Sequence, residues 1–210
     1  LKLGVGLKHL KKLGLTWVMS RLTLALQRPI VGTEQVTVQT WPVTREGRFS
    51  IRDFMLTDHL GQAIGQATSS WAALNLKTRR PVKIDEHLPD YPLHHLRALN
   101  DPFATLPLIE EPCQNALQLP VLRADLDMNN HVNNTVYAGW ALEAIPERLI
   151  TSSVPVLIEL GFRSEALYGD TIRSCCIQAN EDPCILIHRI DSAADGRELC
   201  RLRTTWKPAP

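Results

Sequence analysis

The sequence predicts an α+β protein in which one helix-plus-meander unit is used twice. Three observations predict it: two sets of four strand-like runs joined by short turns, an apolar helix ahead of the second set, and paired markers that recur in both halves. Pro29-Ile30-Val31-Gly32-Thr33 precedes the second strand of the first set, as Ala166-Leu167-Tyr168-Gly169-Asp170 precedes that of the second. Ser69-Ser70-Trp71 and Thr204-Thr205-Trp206 close the two sets at nearly the same spacing. Two markers keeping step argue for an internal duplication rather than a coincidence of β-prone strings.

Each element has a local reason. In Leu1–Gly14, the residues Leu7, Leu10 and Leu13 suit a short helix that Gly14 ends. Strands are expected near Thr16–Arg28, Gln35–Val43, Arg48–Asp58 and Ala63–Leu76, with Leu22, Leu24 and Leu26 sharing a face of the first. Pro29 to Thr33, Arg45-Glu46-Gly47 and Asp58-His59-Leu60-Gly61 supply the turns. Short connections between long strands require an antiparallel meander, because parallel neighbours need a crossover of about a dozen residues or more. Seven of the fourteen prolines fall between Pro81 and Pro120. Proline removes backbone donors and favours extended chain, so this stretch reads as a linker with one short helix near His94–Leu99.

A helix over Asn134–Leu149, ending near Pro146, carries Val136, Tyr137, Trp140, Ala141, Ala144 and Ile145. It is apolar over much of its circumference, as a helix enclosed by a curved sheet has to be. Strands follow near Val154–Glu165, Thr171–Ala179, Cys184–Asp191 and Glu198–Lys207. The expected division is an N-terminal unit over residues 1–80, a Pro-rich linker over 81–120 and a second unit over 121–210.

Composition excludes several classes. In 210 residues, 44% hydrophobic and 21% charged, the pattern is that of a globular chain and not a disordered one. A chain this long buries roughly 70% of its unfolded surface, and no run approaches the ~18 apolar residues of a membrane span. Five cysteines without a C-x-x-C pair suggest neither a disulfide framework nor a zinc knuckle. A reducing, intracellular compartment is therefore expected, with the cysteines as small buried side chains. The net charge of +1 conceals 14 Lys+Arg against 7 Asp+Glu up to Arg97, and 9 against 15 beyond it. The basic half can attract an acidic partner. Its charges are scattered and not interleaved with aromatics, and no nucleic-acid motif is visible, so nucleic acid is not an expected partner. His94-His95 has no further ligand at metal spacing, so neither a metal nor another cofactor is expected. The chain starts at Leu1 without a methionine, and a targeting segment would lie upstream.

The densest polar segment is Asp125-Leu126-Asp127-Met128-Asn129-Asn130-His131-Val132-Asn133-Asn134, directly before the apolar helix. Asp and Asn favour turns and helix caps, so an elaborate N-terminal cap is one reading. A calcium loop fails, because Asn130 stands where glycine is needed and Val136 where a carboxylate is needed. In the catalytic reading, the D-x-N-x-H spacing places Asp127, Asn129 and His131 on one side of an extended or looped segment. They supply a carboxylate, an amide and an imidazole beside the positive end of a helix. Such a set could hold an ester or thioester carbonyl, with Asn129 or helix N–H groups facing the developing oxyanion.

The run Leu119–Glu147 (LPVLRADLDMNNHVNNTVYAGWALEAIPE) resembles the catalytic segment of acyl-acyl carrier protein thioesterases. Thr16-Trp17-Val18-Met19-Ser20-Arg21-Leu22, Arg52-Asp53-Phe54, Ala67-Thr68-Ser69-Ser70-Trp71, Asn75 and Thr78-Arg79-Arg80 are also similar to family segments. The HVNN string alone is shared with other thioesterases of this fold, and the combination is more specific. The resemblance implies a tandem (double) hot-dog fold, two curved antiparallel sheets each wrapping a helix. It implies a hydrolase that releases fatty acid from acyl carrier protein in fatty acid biosynthesis, without a cofactor.

Carried over by motif, the catalytic set falls on Asp127, Asn129, His131 and, on the following strand, Glu165. Ala166 stands where many members carry a cysteine, which leaves carboxylate chemistry and excludes a Cys-His mechanism there. Asp127 as nucleophile with Glu165 activating water is one division, and direct general-base catalysis on water is the other. The N-terminal unit would supply the acyl tunnel. Lys77, Arg79, Arg80 and Lys83 would dock the acidic carrier, unless they are simply a solvated sheet edge. The family has a strand and most of a helix before the point matching Leu1, so either those residues lie upstream or the first unit and its tunnel are incomplete. A homodimer and a cytoplasmic or plastid location fit this resemblance. The alternatives are an acyl-CoA hydrolase, a non-catalytic acyl-binding module and, lower, hydratase chemistry.

Overall fold

Period-two alternation of apolar residues and turn residues at fixed intervals build the strands, and the computed structural model describes residues 4–110, 113, 116–180 and 182–209. The first three residues of the N-terminal segment, and Glu111, Pro112, Gln114 and Asn115 of the Pro-rich stretch, lie outside the described residues. The chain divides into two units, Leu1–Phe103 and Ala104–Pro210.

In the first unit α1 (Leu7–Lys12) stops at Gly14, which takes φ 70°, a backbone that L side chains rarely adopt. Then β1 (Leu15–Leu26), β2 (Thr37–Glu46), β3 (Phe49–Thr57) and β4 (Ala63–Asn75) pair antiparallel in the order β2-β3-β4-β1. The Asp58 carboxylate accepts the N–H groups of Leu60 and Gln62, which closes the β3–β4 turn as the Asp-x-x-Gly string implies. Leu10, Leu15, Ala73, Ile84 and Leu88 form a buried cluster against α1. The helix of this unit is six residues long, against ten in the second.

In the second unit α3 (Asn134–Glu143) and α4 (Glu147–Ser152) replace the single helix read from the sequence. Pro146 lacks an N–H and restricts the residue before it, so the chain breaks there and restarts. The short β5 (Leu117–Pro120) and β6 (Ser153–Phe162), β7 (Thr171–Gln178), β8 (Ile185–Ser192) and β9 (Glu198–Pro208) pair antiparallel in the order β6-β9-β8-β7-β5. Without β5, this is the strand order of the first unit.

The repetition reaches side chains. Trp71 donates its indole N–H to Ser69 Oγ at 2.7 Å, and Trp206 donates to Thr204 Oγ1 at 2.9 Å. Opposite each tryptophan the partner strand bulges, between Met19 and Arg21 in β1 and between Pro155 and Leu157 in β6. A bulge at the same register in both halves bends each sheet at the same point.

Helix α3 lies against β7, β8 and β9. It buries Tyr137, Trp140 and Ala141, and beyond its end Ile145 packs with Leu186 and Trp206. Beneath it His188 is fully buried, with Nε2 2.9 Å from Thr204 Oγ1. Burial pushes its pKa down to about 4, so the imidazole is neutral in the folded core.

The Pro-rich stretch differs from its sequence reading. No helix forms at His94–Leu99; a single turn, α2 (Ile84–His87), forms earlier. Backbone groups of the expected helix go to the first sheet instead. His94 N–H donates to Pro42 O at 2.8 Å, Leu96 O accepts from the Trp41 indole at 2.9 Å, and Ala98 N–H donates to Asp53 Oδ2 at 2.7 Å. Arg97 Nε stands 3.0 Å from Asp53, a carboxylate with no solvent exposure, so this pair compensates a buried charge. In the second unit Leu106 O and Ile109 O accept from Arg201 and Arg189. Cys113 is joined to Cys175 by a disulfide with a Cα–Cα distance of 5.7 Å. This corrects the expectation of five unlinked cysteines: Cys175 on β7 shares the cluster of Ile109 and Ile187, on which Cys113 packs. Among the described residues, no helix is long and apolar enough to cross a membrane.

Candidate active site

The polar segment folds into a tight loop because its own carboxylate organises it. Asp127 N–H donates to His131 O at 2.7 Å and Asn130 N–H donates to Asp127 O at 3.1 Å, while Asn130 takes φ 61°. Asn tolerates this left-handed backbone better than most residues. Asp127 Oδ1 accepts the N–H of Asn129 at 2.8 Å and of His131 at 3.2 Å, and Oδ2 accepts from the Asn129 amide at 3.3 Å. Partial burial pushes the Asp127 carboxyl up. The N–H groups of Asn129 and His131, the Asn129 amide and the nearby imidazole outweigh it and hold the pKa below the usual value. Asp127 is therefore anionic at neutral pH.

Asn133 then caps α3, its Oδ1 accepting from Thr135 N–H at 3.1 Å, while Val136 N–H donates to Asn133 O at 3.0 Å. These donors of the helix start are engaged within the chain. The Asn129 side chain, the other oxyanion donor named from the sequence, lies beside the Asp127 carboxylate.

Glu165 was expected on a strand and lies in the loop after β6 instead. The N–H groups of Arg163 and Ser164 both donate to Leu199 O, so the ladder ends there. The loop brings Glu165 Oε2 to 3.8 Å from His131 Nε2, ion-pair range and longer than a hydrogen bond. Both side chains are partly open to solvent, at 42% for His131 and 37% for Glu165. All four residues named from the sequence thus meet around His131. Its backbone N–H reaches Asp127, its ring reaches Glu165, and Asn129 shares the Asp127 carboxylate.

Sequence reasoning treated Tyr137 only as an apolar helix position. Its hydroxyl, buried under α3, accepts the N–H of Ala166 at 3.1 Å and so ties the helix to the residue after Glu165. Its ring meets Trp140 and Phe162 edge-on. Burial pushes the phenol up to about 12, keeping it neutral. The available signal was a tyrosine in an otherwise apolar stripe, because a buried hydroxyl needs a partner. Arg197 adds a second tie, donating from Nη1 to Glu165 O at 3.2 Å.

The four basic positions named for docking follow β4, all exposed. The Asn75 side chain accepts the N–H groups of Lys77 and Thr78, Arg79 takes φ 57°, and Lys83 pairs with Glu86 at 2.8 Å. Among the described residues, no group of three or more His, Cys, Asp and Glu side chains is placed to hold a metal.

Two family models match the chain, the acyl-ACP thioesterase N-terminal domain over residues 1–91 and the acyl-ACP thioesterase C-terminal domain over residues 110–208. Oleoyl-acyl carrier protein thioesterase 1, chloroplastic, of Arabidopsis thaliana is 31% identical over 228 residues, covering 96% of this chain and 63% of that protein. Palmitoyl-acyl carrier protein thioesterase, chloroplastic, of Gossypium hirsutum is 29% identical, covering 94% and 51%. The chain therefore spans between half and two thirds of the length of these curated relatives. Among solved structures, an acyl-ACP thioesterase from Bacteroides thetaiotaomicron VPI-5482 superposes with a TM-score of 0.81 at 26% identity, covering 98% of this chain and 82% of that one. The 12:0-ACP thioesterase from Umbellularia californica gives 0.78 at 25%, covering 95% and 78%. A MaoC-like dehydratase from Phytophthora capsici, at 11% identity and 0.62, shares the fold alone.

Proposed function

The chain belongs to the acyl-ACP thioesterase family, and from that premise we propose that it hydrolyses the thioester of a fatty acyl group carried by acyl carrier protein, releasing free fatty acid for fatty acid biosynthesis. One observation carries this: His131 links Asp127, through its backbone N–H, to Glu165, through its ring. A loop carboxylate and a carboxylate from a separate segment thereby meet at one residue, Asp127 at the His131 backbone and Glu165 at its ring, which a simple helix cap does not require.

Glu165 is the general base. It takes a proton from water as the water oxygen attacks the acyl carbon. The tetrahedral oxyanion is met by the Asn129 amide, and collapse breaks the carbon–sulfur bond. The proton returns through His131 to the departing thiolate, whose conjugate acid near pKa 8.5 needs little help. Asp127, anionic and bound by three donors, holds the loop in the geometry that presents Asn129 and His131. A second division has Asp127 as nucleophile, forming an acyl anhydride that Glu165-activated water resolves. Asp127 Oδ2, which accepts from the Asn129 amide at the longer distance of 3.3 Å, is the oxygen that favours it. Single turnover in ¹⁸O-labelled water separates the two. Label in Asp127, or a burst of thiol ahead of fatty acid, supports the anhydride; label confined to the fatty acid with thiol and acid released together supports direct attack.

Carrier docking at Lys77, Arg79, Arg80 and Lys83 belongs to this proposal. The Lys83–Glu86 pair reduces the charge available there, which leaves Arg79 and Arg80 as the positions to reverse. Reversal at both should raise KM for carrier-bound substrate several-fold more than for the CoA thioester of the same acyl group; equal effects would refute docking there. The CoA thioesterase alternative is decided by the same comparison on wild type. A cytoplasmic location, or a plastid one, goes with the acyl-carrier substrate. The homodimer is checked by light scattering, which should give twice the chain mass.

A further inference from the structure

A carrier-bound thioester approaches its carbonyl from two ends. The acyl end is apolar and gains about 0.8 kcal/mol for each methylene it buries. The thiol end is tethered to a macromolecule and has to arrive from solvent, across whatever surface borders the carbonyl. Beside Glu165 and His131 that surface is composed in an unusual way.

Two chain segments meet there. Val121 N–H donates to Asp170 O at 2.8 Å, and Gly169 N–H donates to Val121 O at 3.3 Å. This pairing sets Leu122 and Arg123, four residues or more before Asp127, next to Leu167 and Tyr168, two and three residues after Glu165. All are exposed, Leu122 at 55%, Leu167 at 50% and Tyr168 at 51%. Exposed apolar side chains on two paired segments that lead into and out of the polar site offer a candidate contact surface.

The Arg123 guanidinium lies over the Tyr168 ring at 4.2 Å. A guanidinium held over an aromatic ring retains N–H groups that can receive a phosphate. Among the described residues Arg123 makes no ion pair. The Asp125 and Asp170 carboxylates on the same two segments are engaged with backbone: Asp125 Oδ2 accepts Leu122 N–H at 2.7 Å, and Asp170 Oδ2 accepts Leu167 N–H at 2.8 Å. Arg163, exposed two residues before Glu165, adds positive charge on the same loop.

We propose that Arg123 and Tyr168 form the landing site for the thiol-side arm of the carrier-bound thioester. The arm is a chain of amides and methylenes ending in a phosphodiester. The Tyr168 ring edge with Leu122 and Leu167 receives its apolar stretch, and the Arg123 edge receives the phosphodiester by charge-assisted hydrogen bonds. This rests on the carrier-bound substrate proposed above, and it assigns residues to the half of that substrate that the four-residue site leaves without partners.

The test separates the arm from the chemistry. Acyl carrier protein is titrated in its holo form, which bears the arm with a free thiol, and in its apo form, which lacks it, against wild type and the variants Arg123→Gln and Tyr168→Ala. Wild type should bind the holo form roughly tenfold more tightly, and each variant should reduce that preference to near one. Affinity for the apo form should stay unchanged, which also reports that the exposed substitutions leave the fold intact. Arg123→Lys should keep only part of the preference, because a lysine lacks the stacked fork. A wild type without holo preference, or variants that retain it, would overturn the landing site. A wild type that prefers the holo form yet hydrolyses no thioester would sink the hydrolase and leave the landing site standing.

Discussion

Tyr137 shows what a single hydroxyl does in this chain. It accepts Ala166 N–H from within the core, and so sets the distance between the helix that follows His131 and the loop that carries Glu165. Tyr137→Phe keeps the ring contacts with Trp140 and Phe162 but leaves a buried N–H unsatisfied, at a cost of about 1–3 kcal/mol. The expected outcome is a lower melting temperature and a kcat reduced about tenfold with KM nearly unchanged. Equal losses in kcat and in folded fraction would mean the hydroxyl only stabilises. At this scale Asp127, Asn129 and His131 could be named as candidates from the sequence, beside the reading as a helix cap, because they lie in one contiguous segment at alternate positions. Glu165 was legible only through family resemblance. Its position off the strand was not, since the ladder ends through two N–H groups meeting Leu199 O, a contact between distant segments.

At the scale of elements, the eight strands read from the sequence were placed to within three residues at each end, because alternation and turn chemistry are local, while β5 was missed. The Pro-rich stretch was not readable. Its composition correctly says extended chain, yet its partners Trp41, Asp53, Arg189 and Cys175 lie far away in sequence. The Cys113–Cys175 bond closes a separation of 62 residues and clips this stretch to β7. Reductant should lower stability by roughly 2–4 kcal/mol in denaturant titrations, and Cys113→Ser should remove the response. An unchanged transition with reductant would show that the clip is not needed for the packed stretch, as the reducing compartment expected from composition would require. For α3, Asn133→Ala removes the side chain that accepts Thr135 N–H, and should cost about 1 kcal/mol. A loss near zero would place the helix start under the control of the Asp127 loop alone.

For the whole molecule, the duplication was legible from two short strings, and the common strand order with a bulge opposite each tryptophan gives it a physical basis. Acid sensitivity was hidden, because it depends on burial. His188 sits neutral beneath α3 with its pKa lowered to about 4, whereas the unfolded chain protonates it near 6.5. Its contribution is present above pH 6.5 and is lost as pH falls from there towards 4. His188→Gln should flatten that part of the stability profile, read by thermal melts across the range; an unchanged slope would assign the acid loss to the carboxylates. The central claim is that one thioester carbonyl is served jointly by the Asp127 loop and Glu165. It is tested most directly by fatty acid release from acyl carrier protein thioesters, comparing wild type with Glu165→Gln and Asp127→Ala. Wild type should turn over, and each variant should lose about 10²-fold or more in kcat while keeping its fold. Wild-type-like release by Glu165→Gln would contradict the account.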